Sequence, residues 1–375
     1  MKSTGVLGCV AGWLLLGCGG DTSSRPDDVA EWSLTPVTVV QPEQAPFGRV
    51  ADLELGDDGT LFVLDGLSRT IRVFDRDGAE VREFGGRGQG PGEFEQPGRL
   101  AWGPDGDLWV LDLRNGRLTA FGPEGELRST HRPSDLPILF PFALSFSGPN
   151  RVQWVGVSSP DPARPAAAWV ETELADGAFT PLDHNALPLV EWPLLFEDRD
   201  DETALVLPVP FSGEPLFGFD PLGRLWYNYS GDAVLYRWST SGDVEFTLST
   251  DPAPTPVTDS DREAALAREE LAEVRDRLGD VAVSEMASLI PANKPYYGAF
   301  FFDDVGSLWV MHAGASASHP ETRRVDVYSM DGVPRATAST ALAPVPRPRA
   351  RDGLVAGVIR DSLGVESIGV FRVLR

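Results

Sequence analysis

The sequence predicts an all-β fold, a six-bladed β-propeller whose blades are four-stranded antiparallel sheets. One phrase recurs from one end of the chain to the other: an apolar strand, a turn ending in Gly, and a Leu-aromatic strand. Each copy runs on into a third strand, a second Gly turn and a fourth strand, so the repeating unit is a small meander. The strands mix alternation with nearly continuous apolar runs, as suits sheets covered on both faces. A β-sandwich explains the repetition poorly.

In chain order, residues 1–18 read as a secretory signal. Lys2 precedes the apolar run Val6–Leu16, which is too short to cross a hydrocarbon layer of ~30 Å as a helix. The run ends in Leu15-Leu16-Gly17-Cys18, similar to the lipobox of bacterial lipoproteins. That resemblance implies cleavage before Cys18 and lipid attachment at Cys18. Residues 1–17 are then the signal, 18–30 a flexible tether and 31–375 the propeller. Cys9 leaves with the signal, so no second cysteine remains for a disulfide. Gly19 follows Cys18 where Asp would otherwise stand, which in lipoproteins resembles outer-membrane delivery. The expected address is the cell envelope, at the outer membrane or its periplasmic face.

The clear copies of the phrase are Val50–Leu55 with Asp58–Asp65, Leu100–Trp102 with Asp105–Asp112, Leu216–Phe219 with Leu222–Tyr227, and Gly298–Phe302 with Val305–Val310. A fainter copy is Phe142–Phe146 with Gly148–Trp154. Third strands follow at Thr70–Phe74, Arg117–Phe121, Val234–Trp238 and Arg324–Tyr328, each leading to another Gly turn. The aromatics Phe62, Trp109, Trp226 and Trp309 are expected to pack between neighbouring blades. The tail, Leu354–Ile359 and Val365–Val373, supplies inner strands of a sixth blade but no outer one. The strand Trp32–Val40 has no blade of its own, so pairing it outside Val365–Val373 closes the ring and covers an edge. A seventh blade would require promoting the irregular segment 185–214.

With strands lettered a to d outward, the a–b and c–d turns share one face of the ring and are nearly all tight. The long excursions fall in the other set: 85–97, 185–214 and 250–296 between blades, 158–167 and 312–323 between strands b and c. Long loops gathered on one face of a rigid scaffold are where binding usually resides. This places Arg87, Trp192, Phe211 and His312 on a candidate binding face. Asp65, Asp112, Tyr229 and His312 hold equivalent positions at the ends of b strands. An Asp at such a position commonly accepts backbone N–H bonds from its own turn. Within 250–296, Leu266, Leu271, Val274 and Leu278 share a stripe and Ser260 with Glu263 resembles a capping box. One inserted helix around 259–290 is therefore expected, capping the ring or gating it.

Composition removes several functions. With 32 basic and 56 acidic residues the net charge is −24, a surface that repels nucleic acid. With 42% apolar residues and 10 Trp the chain fills a real core. No Gly-x-Ser-x-Gly, His-Glu-x-x-His or Gly-Lys-Ser/Thr occurs. The glycine run 85–92 lacks the Lys that phosphate binding needs and reads as positive-φ turns. Structural zinc is excluded, four scattered histidines make a weak metal case, and no cofactor or catalytic residue is assigned. The run Glu197–Glu202 lacks calcium-loop spacing and reads as a solvated loop.

Gly-x-Gly-x-Gly-Pro-Gly-Glu-Phe94, then Pro97, then Pro104-Asp-Gly-Asp-Leu-Trp-Val-Leu-Asp112, resembles the NHL repeat. More broadly, the chain is similar to the six-bladed propeller lipoproteins of bacteria. The likeness is good in the first two blades, partial in the fourth and fifth, and poor in the third and sixth. It implies a propeller that binds protein, peptide or carbohydrate. Some relatives are lactonases or lyases with a divalent cation or catalytic His at the mouth. This chain offers Asp65, Asp112 and His312 there, but not the Glu and Asn set of the lactonases. The expected function is a monomeric, non-catalytic binding protein tethered to the membrane by lipid. A lactonase- or lyase-type enzyme and a structural part of an envelope complex are the alternatives.

Overall fold

The computed structural model describes residues 29–41, 46–133, 136–158, 167–175, 178–187, 194–199, 203–239, 242–250, 252–267, 280–315 and 322–375. Strands β1 (Ala30–Glu31) and β2 (Ser33–Val40) come first. Blade one is β3–β6, at Val50–Leu55, Leu61–Asp65, Thr70–Phe74 and Glu80–Gly85. Blade two is β7–β10, at Pro97–Trp102, Leu108–Asp112, Arg117–Phe121 and Leu127–His131. Blade three is β11–β14, at Phe140–Gly148, Arg151–Val157, Ala167–Ala175 and Ala178–Leu187. A separate hairpin, β15 (Leu194–Arg199) and β16 (Thr203–Pro208), precedes blade four. Blade four is β17–β20, at Pro215–Phe219, Leu225–Tyr229, Val234–Trp238 and Val244–Ser249. Two helices follow, α1 (Asp259–Leu266) and α2 (Asp280–Leu289). Blade five is β21–β24, at Tyr297–Phe302, Ser307–Ala315, Arg323–Ser329 and Pro334–Thr340. Blade six is β25–β27, at Arg349–Arg351, Leu354–Arg360 and Glu366–Leu374, completed by β2.

The ring closes as the sequence suggested. β2 pairs antiparallel with β27, with Leu34 opposite Val373 and Val40 opposite Ile368. The junction goes further, because β1 adds a parallel fifth strand to blade five, with Ala30 opposite Ala336. One N-terminal segment thus covers the outer edges of two blades. Segment 185–214 contributes a two-stranded ribbon and no blade, so the count is six. The run 197–202, expected as a solvated loop, begins as strand. Glu197–Arg199 end β15, with Glu197 opposite Leu205, and the remainder lies outside the described residues.

The core consists of six slabs, each filling the gap between neighbouring blades. Phe62 packs with Leu100 and Val110 of blade two, and Trp109 with Val152 and Trp154 of blade three. Trp226 meets Phe300 and Leu308 of blade five, while Trp309 meets Val355 and Phe371 of blade six. All four repeated aromatics therefore do what the repeat predicted. The gaps between blades three and four and between six and one are filled in the same way. The Trp226 and Trp309 indoles donate to Asp220 and Asp303 of their own blades' first turns, at 3.0 and 3.2 Å. These bonds satisfy polar edges that burial would otherwise penalise.

The glycine connector is ordered from within. Arg117, only 4% exposed, donates to the carbonyls of Gln89 and Gly90 at 3.0 and 2.9 Å and also to that of Glu93. Gly85 has φ +95°, and a Cβ there would meet the ring of buried Phe94 at 2.8 Å. Glycine is required at that step by both conformation and space.

The helical insertion departs from expectation in two respects. It contains two described helices where one was expected, and α1 starts earlier than Ser260. Thr258 is the N-cap, and it and Asp261 exchange the reciprocal bonds of a capping box. Leu266 packs as expected, with Phe211, beside a small cluster of Val209, Val257 and Ile290. Leu271, Val274 and Leu278 lie outside the described residues.

Candidate functional site

Each inner strand begins where a blade-to-blade connector delivers it, so all six inner strands start at the loop-rich mouth and run toward the tight-turn face. The mouth-side ends enclose a cavity of about 240 Å³ on the ring axis. Every blade contributes to it: Asp52, Arg99, Phe142, Phe217 and Phe300 come from blades one to five, and Arg347 from the connector entering blade six. None of these arginines was singled out from sequence. Arg347, Arg349 and Arg351 alternate with Pro348 and Ala350, and a period of two on an extended chain sends all three side chains to one side. That alternation, in so acidic a chain, is the signal that was there to be read.

Arg349 divides the channel. Its guanidinium donates to Asp52 at 2.9 Å and to Glu54 at 2.7 Å, and it lines both the mouth-side cavity and a second one of about 360 Å³ at the other end. Burial pushes the Glu54 carboxyl above its ordinary value, against the pull of Arg349. The two ends differ in charge. Beyond Arg349 the far cavity carries Glu54, Asp57, Asp220, Asp303 and Asp304 against the single cation of Arg351, which pairs with Asp57. On the mouth side stand Arg99 and Arg347, which donate to carbonyls: Arg99 to Phe142 at 2.9 Å and Gly98 at 2.7 Å, Arg347 to Phe217 at 2.5 Å. Burial, then the nearby charges of Arg349 and Arg99, pushes Arg347 down to about 9.

The residues expected on the binding face are distributed around the rim. Arg87 is exposed on the connector between blades one and two, its backbone bridged to Phe94. Phe211 and His312 belong to the side of blades four and five, across the ring from it. Phe211 lies beneath the helices with the Lys294 ammonium 5.6 Å from its ring centroid. His312 Nε2 is 2.8 Å from Asp326, which also accepts from Arg324 at 2.7 Å. Burial raises the Asp326 carboxyl, but the bonds from His312 and Arg324 outweigh it and hold the carboxyl low. Tyr229 is half-buried, and burial followed by the Asp232 charge raises its hydroxyl. Trp192 lies outside the described residues.

Asp65 and Asp112 are buried and fully engaged. Asp65 accepts from the backbone N–H groups of Gly48, Arg49, Leu67 and Ser68 at 2.8–3.3 Å. Asp112 accepts from Glu95, Gln96 and Asn115 N–H groups and from the Asn115 side chain. Each staples its own b–c turn to the incoming connector, which is the structural use anticipated from sequence and leaves little capacity for a ligand. Among the described residues no group of three or more His, Cys, Asp or Glu is placed to hold a metal ion. Nor is any described helix long and apolar enough to cross a membrane.

A family model described as a 6-bladed beta-propeller matches residues 35–142. Among curated proteins none matches the sequence. Among solved structures, a protein from Bacteroides fragilis described only as a candidate exported protein is similar over 93% of this chain and 98% of its own. Its sequence identity is 14% and its TM-score 0.54. A gluconolactonase from Xanthomonas campestris follows at 11% identity and TM-score 0.45, covering 94% of this chain and 100% of its own. Virginiamycin B lyase from Staphylococcus aureus stands at 13% and 0.40, covering 87% and 80%. At these identities the likeness concerns the fold, and scores under 0.5 carry no argument about activity. The class is thus a six-bladed β-propeller.

Proposed function

We propose that this chain is an exported, lipid-anchored propeller that binds a ligand at its loop-rich mouth and catalyses no reaction. The mouth-side cavity carries this reading: all six blades converge on it, its walls mix apolar side chains with three arginines and two carboxylates, and the long connectors surround it. Concave sites of that composition on a preformed scaffold are typical ligand sites. The Leu15-Leu16-Gly17-Cys18 ending supports the lipid anchor, and the structural likeness to a candidate exported protein agrees with export. The ligand class expected from sequence is a protein, peptide or carbohydrate.

Capture from detergent-solubilised envelopes tests the working face. Arg87→Ala and Trp192→Ala should weaken capture with little change in melting temperature, whereas Asp77→Ala or Glu124→Ala on the tight-turn face should not. The opposite pattern would place function on the other side. For the address, Cys18→Ala should abolish lipid labelling. An intact mass showing an unmodified N-terminus other than Cys18 would exclude the anchor.

A further inference from the structure

We propose that the mouth-side cavity is a binding site for a small organic monocarboxylate, with its carboxylate on Arg347 and Arg99 and its apolar body against Phe142, Phe217 and Phe300. This rests on the mouth being the working face and names what the cavity itself would take. Four observations lead there. First, in a chain of net charge −24, this confined space collects the guanidiniums of Arg99, Arg347 and Arg349. Second, only Arg349 is paired: Asp52 and Glu54 occupy it, while no carboxylate lies within ion-pair distance of Arg99 or Arg347 among the described residues. The cavity's own lining sets three guanidiniums against the carboxylates of Asp52 and Glu214, a surplus of one positive charge within its walls that a monoanion neutralises. Third, the guanidinium fork matches a carboxylate in shape, and the aromatic walls suit an apolar body rather than a bare inorganic ion. Fourth, charge elsewhere restricts the ligand. Glu214 on the rim opposes a second negative charge, and the acidic far cavity opposes entry from the other end. Burial, with repulsion from Arg349 and Arg99 added to it, disfavours the charge on Arg347, and an arriving anion offsets both. A volume of about 240 Å³ lies below the usual range for drug-sized ligands, so the molecule is small.

The competing role is structural, since Arg99 and Arg347 each tie one blade to a carbonyl of another. The experiment separates the two. The mature protein in detergent is titrated calorimetrically with sodium benzoate, with its neutral isostere benzamide, and with inorganic phosphate, at constant ionic strength. Benzoate is expected to bind at least about tenfold more tightly than benzamide or phosphate, the usual discrimination of a charge-assisted hydrogen bond. Arg347→Gln should weaken benzoate at least about tenfold and abolish the rise in melting temperature that benzoate gives. Arg99→Gln is the second probe should Arg347→Gln fail to fold. Arg82→Gln, which loses contacts with the Pro123 carbonyl and Glu124 on the tight-turn face, should leave benzoate binding unchanged. No benzoate binding by the unmodified protein overturns the assignment, as does a preference for phosphate. So does unchanged benzoate affinity in folded Arg347→Gln and Arg99→Gln proteins, which would make both arginines blade ties only. Envelope capture that depends on Arg87 while benzoate fails to bind would retain the working face and remove only this assignment.

Discussion

Replacing Arg349 by Met tests the ionic divider of the channel. The substitution keeps most of the side-chain volume and removes the one cation between Asp52 and Glu54. The side chains of Arg349, Asp52 and Glu54 are 19%, 3% and 15% exposed, so little water reaches them to compensate. Breaking a buried pair in this way costs about 3–5 kcal/mol. That agrees with the attraction of unit charges ~4 Å apart at an effective dielectric of ~20, about 4 kcal/mol. The sign of the pH dependence follows from Glu54. Its carboxyl is raised from an ordinary 4.5, so its contribution is present below that value and lost as pH rises through the folded value. Without Arg349 the folded value climbs further, and the destabilisation should be larger at pH 8 than at pH 5. Adding Glu54→Gln should recover part of it, because no second charge is then left stranded. Urea midpoints at the two pH values measure all of this. A loss below about 1 kcal/mol at pH 8, or one equal at both pH values, would refute the reasoning.

Three further outcomes follow from the same structure. Asp112→Ala strands the N–H groups of Glu95, Gln96 and Asn115 and should cost about 3 kcal/mol or more by thermal melting, while folded protein still captures its partner. Trp226→Ala empties the gap between blades four and five, where the indole is 0% exposed, and should cost about 3–5 kcal/mol by calorimetry. Deleting residues 29–40 uncovers the outer edges of β27 and β24 together. It should shift the elution profile from that of the intact chain toward aggregates or larger oligomers.

The ring was legible because its signals are local and repeated. Gly turns at fixed offsets marked the strand pairs, and Phe62, Trp109, Trp226 and Trp309 marked the gaps between blades. Closure by Trp32–Val40 followed from counting strands, since β27 would otherwise present a bare edge. Other features were illegible for identifiable reasons. β1 spans two residues and β25 three, too short for a period to show. The cap of α1 fell on Thr258 because Asp261 can answer a capping hydroxyl as Glu does, so two overlapping frames fit the sequence. The candidate site was harder still. Arg99, Arg347 and Asp52 are far apart in sequence and meet only because inner strands of different blades converge on one axis. Reading the loops located the mouth, whereas the charged lining of the channel required the ring to be assembled first.

The most direct test of mouth-side binding is site-specific photocrosslinking in intact envelopes. A benzophenone side chain is placed at exposed Arg87 on the mouth or at exposed Glu124 on the tight-turn face, and the adducts are compared by mass. Adducts at position 87 with none at 124 are the expected result. Adducts confined to position 124 would contradict a working mouth.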